Sequence, residues 1–296
     1  MLDDLPGEIW LDGRLIPWKD ARVHIMVHGL HYASTVFEGI MSYNGKVLRS
    51  QDHYERLFRS AEYLGFTIPY AVEELVKATE QLVLKQGYAS SYIRPIAWCG
   101  AKTWTISTIG CDVHVAITAR EKTWSTPEHF YTKGLRMVIS DWRRPDPNTA
   151  PVQAKAAGLY IISSLSKNDA IKRGFDDALM LSYKGNIAEA TVSNIFFVIA
   201  GKLYTPIPDC FLNGITRIIC LELAKQLNIE AHETYLTIED LDQVEEAFLT
   251  GTATEILPIQ SIEGVDNNGR NRFWQFKSGP VTTSMISEFH KMIETL

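Results

Sequence analysis

The chain has 296 residues, 46% of them hydrophobic and 22% charged, a globular composition with enough apolar mass for large cores in one or two domains, which excludes a disordered or fibrous chain. The formal net charge is -6, from 29 Lys and Arg against 35 Asp and Glu, and the basic residues are scattered, so nothing points to nucleic acid or an anionic membrane as partner. The opening residues lack the basic-then-apolar pattern of a targeting signal, no apolar run approaches the roughly 20 residues of a membrane span, and the expected compartment is the cytoplasm. Cys99, Cys111, Cys210 and Cys220 are far apart in sequence and form no CxxC pair, so four reduced packing thiols are expected rather than disulfides or a zinc site.

In chain order, "GEIWLDGRLIPW" predicts a hairpin turning at Asp12-Gly13, and "MSYNGKVLR" a second turning at Asn44-Gly45. Asp52 offers an N-cap to a helix over "HYERLFRSAEYLGF", and Leu75, Val76, Thr79, Leu82 and Val83 recur at helical spacing in a second helix ending at Gly87. "SSYIRPIAWCG" and "DVHVAITAR" read as strands, which makes residues 1–120 a small α+β domain. Polar residues and Pro127 mark 121–134 as an interdomain linker, leaving 135–296 as a larger mixed α and β domain. There the strand "LRMVIS" precedes the lysine segment, a helix over "IISSLSKNDAIKRG", the hairpin "DALMLSYKGNIAEATVSNIFFVIAGKLYTP" and the helix "ITRIICLELAKQLN". A short helix in "LTIEDLDQV", with Thr237 and Asp240 placed like a capping box, leads to the strand-like "EEAFLTGTATEILPIQSI". Short turns instead of regular βαβ alternation, and no GxGxxG or GxxxxGK[ST], argue against a Rossmann or P-loop domain.

The chemistry-bearing segment is "APVQAKAAGLYIISS", where Lys155 stands among Ala154, Ala156, Ala157 and Gly158. Small neighbours leave room for a flat ring, and an apolar surround favours the neutral, nucleophilic amine of a Schiff-base lysine. On this segment alone, a snorkelling lysine at an element end is the plainer reading. Glu189 sits on or near a strand that runs into an apolar stretch and calls for a cationic partner, a role the protonated pyridine nitrogen of pyridoxal phosphate can fill. Gly214, Ile215 and Thr216 open a helix whose free N-H groups suit a phosphate, and Gly251, Thr252, Ala253 and Thr254 supply a second loop of donors. On a strand through "SYIRPI", Tyr92 and Arg94 share one face, where a carboxylate can bind; an ordinary surface arginine is the alternative. His24, His28 and His31 have spacings that could share a helical face, but no Cys, Asp or Glu nearby completes a metal site, and structural histidines are expected.

In "VHIMVHGLHYASTVFEGI", "HYERLFRSA", "SYIRPIAW", "RRPDPNTAPVQAKAAGLY", "NIAEATVSNIFFV", "NGITR" and "LTGTATEILPI", the chain resembles the fold-type IV pyridoxal-phosphate aminotransferases, most of all the branched-chain amino acid aminotransferases. The resemblance implies the two-domain, D-amino acid aminotransferase-like architecture, pyridoxal 5'-phosphate held between the domains, and a homodimer or higher homo-oligomer. It also implies that Lys155 carries the cofactor, Glu189 pairs with its ring nitrogen, Tyr160 bonds its phenolic oxygen, and Arg56, Ile215, Thr216 and Thr252 hold its phosphate. Tyr32 and Phe37, core aromatics by default, become pocket walls through the resemblance. Tyr92, Arg94 and the backbone N-H groups of Thr252 and Ala253 become the candidates for substrate carboxylates.

The implied reaction passes an amino group from a branched-chain or other apolar L-amino acid to 2-oxoglutarate. D-amino acid aminotransferase, (R)-amine transaminase and aminodeoxychorismate lyase share the framework and are the alternatives within the fold; a cofactor-free binding protein is the alternative outside catalysis. Three departures bear on the substrate. Met41 stands where branched-chain members usually carry a basic residue, residues 100–110 differ from the usual Gly-Val-rich loop, and Leu159 replaces a residue that is frequently polar.

Overall fold

The structure, a computed structural model, describes residues 5–102, 104–123, 126–266 and 268–296. The chain divides into two compact units, Met1–Trp124 with Gln153–Leu159, and Ser125–Val152 with Tyr160–Thr295.

In the first unit, β1 (Glu8–Leu11) and β2 (Arg14–Pro17) form an antiparallel hairpin closed by Leu11 opposite Arg14. Asp12 and Gly13 have φ of 46° and 89°, the left-handed pair that a two-residue hairpin turn requires. After α1 (His28–Tyr32) and β3 (Thr35–Phe37), the second hairpin of β4 (Ile40–Tyr43) and β5 (Lys46–Val47) turns in the same way on Asn44 and Gly45, at 50° and 77°. Helix α2 (Ser50–Tyr63) starts after Arg49 rather than at Asp52; Asp52 lies in its first turn and pairs with Arg49 at 3.1 Å. Helix α3 (Val72–Gln86) ends at a left-handed Gly87. The long β6 (Ser90–Cys99) and β7 (Val113–Glu121) complete a sheet of order β2-β1-β7-β6-β4-β5, with β3 also on β6. Its core face carries Val36, Ile40, Ile93, Ala97 and Ile117, packed with Leu57 and Leu75 of the helices.

Ala154 and Ala156 belong to that same core, and Ala156 bridges to Val36. The chain therefore returns to the first unit with Lys155, a return that the expected division at 121–134 does not contain. Within 121–134, Glu121 ends β7 and Glu128–Lys133 forms α4, while Trp124 and Ser125 lie outside the described residues, as does Thr103 of the 100–110 segment.

The second unit begins with β8 (Leu135–Arg144), α5 (Tyr160–Lys172) and β9 (Asp177–Ser182). Strands β8 and β9 pair in parallel with α5 packed on both, so a βαβ crossover stands where the sequence suggests turn-linked pairing. Then come β10 (Ile187–Ala190), β11 (Asn194–Ile199), β12 (Lys202–Pro206), α6 (Ile215–Gln226), β13 (Ala231–Thr234), β14 (Glu246–Gly251) and β15 (Glu255–Val265). The order is β10-β9-β8-β15-β14-β11-β12-β13. Glu239–Gln243 is a 3-10 turn, with the Thr237 N-H and hydroxyl both donating to Asp240 Oδ2. Strand β16 (Asn271–Gln275), paired to β15, and helix α7 (Pro280–Glu294) follow. One sheet face buries Ile195, Phe197, Leu249 and Ile259, and the stacked Phe196 and Phe248 are buried as well. Apolar residues on both faces explain why "NIFFV" reads as an unbroken hydrophobic run.

One polar clamp fixes the first hairpin to β7. His114 lies 2.7 Å from Asp12 Oδ2 and 3.1 Å from Asp112 Oδ2, and Asp12 Oδ1 accepts the Val115 N-H at 2.8 Å. Partial burial pulls the imidazole pKa down, but hydrogen bonds and charge from the two aspartates overcome this and raise it above its ordinary 6.5. The folded state then holds its proton more tightly than the unfolded chain, so the clamp's contribution is complete below pH 6.5 and is lost as pH rises through the folded value. NMR titration should find His114 above 6.5, and Asp12→Asn should move it down; a wild-type value at or below the ordinary one refutes the clamp.

Candidate active site

Helix α2 presents His53, Arg56 and Ser60 along one side, at helical spacings of three and four. Glu38, just past β3 and 0% exposed, receives the Arg56 guanidinium in two-pronged fashion, Nε to Oε1 at 2.6 Å and Nη2 to Oε2 at 2.7 Å. His53 Nδ1 donates to Oε2 at 2.7 Å. Burial alone pushes the Glu38 carboxyl up, yet the Arg56 charge and hydrogen bonds, aided by His53, hold it well below the usual carboxylate range. Burial lowers the His53 pKa; Glu38 raises it in part, while the positive charges of Arg56 and Lys155 lower it further. The acid is thus ionised and the imidazole favours its neutral form.

Lys155 is fixed against this frame through its backbone. Its N-H donates to Ser60 Oγ at 3.0 Å, and its carbonyl accepts the Phe37 N-H at 3.2 Å. The small residues around it are explained by packing: Ala154 and Ala156 are buried against β3 and α2, and a Cβ on Gly158 would stand 3.1 Å from Ala33. The Lys155 amine lies 5.3 Å from the Phe37 ring centre, and the Arg94 guanidinium is 4.7 Å from the same ring. Arg94 Nη2 donates to the Tyr92 hydroxyl at 2.6 Å. A Cβ on Gly39 would come within 2.6 Å of that hydroxyl, so glycine is needed there. Met41 is opposite Tyr92 in the β4–β6 register and 1% exposed, which puts it on the same sheet face as Tyr92 and Arg94. Tyr32, at the end of α1, is exposed and packs its ring on His28.

The three histidines near it each hold backbone or a hydroxyl. His28 lies 2.6 Å from Ser34 Oγ and donates to the Thr105 carbonyl at 3.0 Å, His31 donates to the Ile25 carbonyl, and His24 accepts the Met26 N-H.

In the second unit, a register shift in β10 sets Glu189 inward, where Arg144 Nη2 meets Oε1 at 2.8 Å and Asn194 Nδ2 meets Oε2 at 3.3 Å. Arg144 is steadied by Ser163 and the Thr191 carbonyl, at 3.1 and 3.2 Å. Asn194 also donates to the Leu212 carbonyl and accepts the Gly214 N-H, both at 3.1 Å. Gly214 precedes α6 with no side-chain cap, and a Cβ there would lie 2.2 Å from Asn194 Oδ1. Ile215 and Thr216 are buried in the first turn, and the fully buried Arg217 ties that turn to Thr205, Asn213, the Pro206 carbonyl and Glu233. Thr252 and Ala253 form the turn between β14 and β15, beside a Ser193–Thr254 hydroxyl contact of 3.1 Å, and Tyr160 is the first residue of α5.

The expected residues thus form two groups. Lys155, Arg56, Phe37, Tyr92 and Arg94 gather in the first unit, and Tyr160, Glu189, Ile215, Thr216, Thr252 and Ala253 belong to the second. Glu38, His53, Ser60, Arg144 and Asn194 join them only in the structure; the signal available in the sequence is the acid of "FEG" between two residues of a strand-like run, and the Asn that ends "EATVSN".

Residues 35–262 match the family described as Amino-transferase class IV. A Rickettsia felis protein named probable branched-chain-amino-acid aminotransferase is 42% identical over 88% of this chain and 89% of its own. The crystal structure of the Escherichia coli branched-chain amino acid aminotransferase superposes with a TM-score of 0.90 at 34% identity, covering 98% of this chain and 95% of that one. The branched-chain amino acid aminotransferase of T.th., solved with N-(5'-phosphopyridoxyl)-L-glutamate, gives a TM-score of 0.89 at 33% identity, covering 98% of this chain and 95% of that one.

The Glu38 cluster sets the acid response. The unfolded chain protonates this carboxyl near 4.5 while the folded chain does not, so its stabilisation is present above that pH and is lost on acidification; His53 acts in the same direction below 6.5. Glu38→Gln should cost roughly 3 kcal/mol near neutral pH, because buried Arg56 loses its counter-charge, and should flatten the fall in urea midpoint below pH 4.5. A variant as stable as wild type, with the same acid limb, contradicts this assignment.

Proposed function

The chain belongs to the class IV aminotransferases, and we propose that its donor is a branched-chain or other apolar L-amino acid and its acceptor 2-oxoglutarate, with Lys155 as the catalytic residue. The observation that carries the reading is the fixing of Lys155, whose backbone is bonded on both sides and whose amine stands by the Phe37 ring near Arg94.

Class IV aminotransferases work with pyridoxal 5'-phosphate, and the residues present fit it. The uncapped start of α6, with Gly214 free of a Cβ, offers N-H donors of the kind that bind phosphate. Glu189, buried and oriented by Arg144 and Asn194, is an acid suited to a protonated ring nitrogen. Ile215, Thr216, Thr252 and Arg56 are assigned to the phosphate, Tyr160 to the phenolic oxygen and Lys155 to the carbonyl carbon. When bound, the cofactor supplies a carbonyl that condenses with amines and a ring that delocalises charge from the substrate carbon.

The chain's own residues do the rest. Lys155 Nζ accepts the proton from the donor's α-carbon and later returns it, acting as base and then acid. Arg94, with its guanidinium oriented by the Tyr92 hydroxyl, binds a substrate carboxylate, and Phe37 gives the apolar wall that excludes water. An arginine beside an aromatic suits both an acidic acceptor and an apolar donor. The relatives' names and the phosphopyridoxyl-glutamate complex support the same pair. Among the described residues no helix is long and apolar enough to cross a membrane. Exposed Trp104, Ile106 and Ile109 support assembly as a homodimer, and the cytoplasm is the proposed compartment.

Borohydride treatment of the cofactor-loaded protein should label Lys155, and Lys155→Ala should lose both the label and turnover while keeping its circular dichroism; label on another lysine overturns the assignment. Specificity is tested at Met41. Replacing this apolar side chain by arginine on the Tyr92 and Arg94 face should raise kcat/KM for leucine relative to phenylalanine, and an unchanged ratio assigns Met41 to packing alone. Activity confined to D-alanine or (R)-1-phenylethylamine rejects the L-amino acid donor.

A further inference from the structure

Two thiols meet at the foot of the connection between β6 and β7. Cys99 is the last residue of β6 and 0% exposed, Cys111 is partly exposed two residues before β7, and their sulfurs are 2.7 Å apart. The backbone holds them there. Cys99 is paired with Val113, the Gly100 N-H donates to the Asp112 carbonyl at 2.7 Å, and the Cys111 N-H donates to the Thr108 carbonyl at 3.1 Å. A Cβ on Gly100 would lie 2.7 Å from the Asp112 carboxylate, so the neck is closely drawn at this point.

We infer that Cys99 and Cys111 form a reversible oxidation site, a dithiol that a peroxide closes into an intrachain disulfide across the neck of the β6–β7 connection. Packing alone accounts for one buried thiol here. A second, partly exposed sulfur in contact with it, in a backbone setting that already fixes both chains, supplies what disulfide closure needs.

The unequal exposure orders the chemistry. Burial, and then the neighbouring Cys111, push the Cys99 thiol up to about 12, so it stays protonated and shielded. Cys111 attacks the peroxide O–O bond first and becomes a sulfenic acid, its proton leaving with the displaced hydroxide as water. The Cys99 sulfur then attacks the Cys111 sulfur and expels the hydroxyl, which leaves with the Cys99 proton as a second water. Two thiols are oxidised by two electrons in all, and one peroxide is reduced to two waters. Dithiothreitol reverses the bond by thiol exchange. Cys210 and Cys220 are buried at 1% and 0%, with Cys220 against the Thr250 hydroxyl, and serve as internal controls.

The test treats cofactor-loaded protein with hydrogen peroxide, alkylates remaining thiols, and reads intact mass and non-reduced peptide maps. Expected are a loss of about 2 Da, one cross-link joining the peptides of Cys99 and Cys111, and full reversal by dithiothreitol. Cys99→Ser should stop at a sulfenic acid on Cys111 that dimedone traps, and Cys111→Ser should form no cross-link. Should either variant fail to fold, the wild-type map decides alone. Direct conversion of Cys111 to sulfinic acid without a cross-link, or oxidation at Cys210 or Cys220 first, overturns the inference.

Discussion

A carboxylate sealed from water, that of Glu38, sets the geometry of the first unit. A buried charge left without partners costs several kcal/mol, so the surrounding structure is bound to supply them. Arg56 and His53 do so from a single helix, and α2 can face both toward Glu38 in one rotational setting only. That setting carries Ser60 to the same side, where its hydroxyl takes the Lys155 N-H, while β3 takes the Lys155 carbonyl. The lysine's backbone is thus held by the same helix and strand that surround the acid.

The second unit meets the same problem with a different answer. Glu189 draws Arg144 from the end of β8 and Asn194 from the start of β11, and Asn194 spends its other hydrogen bonds on the loop that precedes α6. One amide thus joins the acid to the helix start, and leaves so little space that position 214 carries glycine. Arg217, one turn into α6, holds the same loop from its other side. In each unit a guanidinium and a second donor orient a buried carboxylate, which keeps polar groups in place without relying on long exposed side chains.

What could be read from the sequence follows from how local each signal is. The Asp-Gly and Asn-Gly turns declare themselves because φ is a property of two adjacent residues, and Lys155 is conspicuous through its small neighbours. Glu38 shows itself only as an acid inside the strand-like run around Phe37 and Gly39, and its partners stay hidden because they lie 15 and 18 residues further on. Glu189 shows itself by the apolar run behind it, whereas nothing local in "WRRPDP" marks Arg144 as its partner across 45 residues. The parallel crossover of β8, α5 and β9 is hidden because the chain detours through the first unit before α5 begins. The Cys99 and Cys111 contact arises from strand register alone, across a separation of 12 residues. Strand β16 and helix α7 lie beyond the expected elements, although Pro280 at the start of α7 and the buried Met285 and Phe289 four residues apart are local marks of a helix.

The first sheet also keeps its helix-covered core apart from the residues around Arg94. Val36, Ile40 and Ile93 point into the helix-covered core, and Phe37, Met41, Tyr92 and Arg94 alternate with them onto the other face. A change of size or charge among the second set alters the surroundings of the Arg94 guanidinium without touching the packing under α2. The Glu38, Arg56 and Ser60 arrangement that fixes the Lys155 backbone lies on the helix side of this division. Strand alternation therefore lets the residues on the Arg94 face, Met41 among them, change without disturbing the frame that holds the lysine.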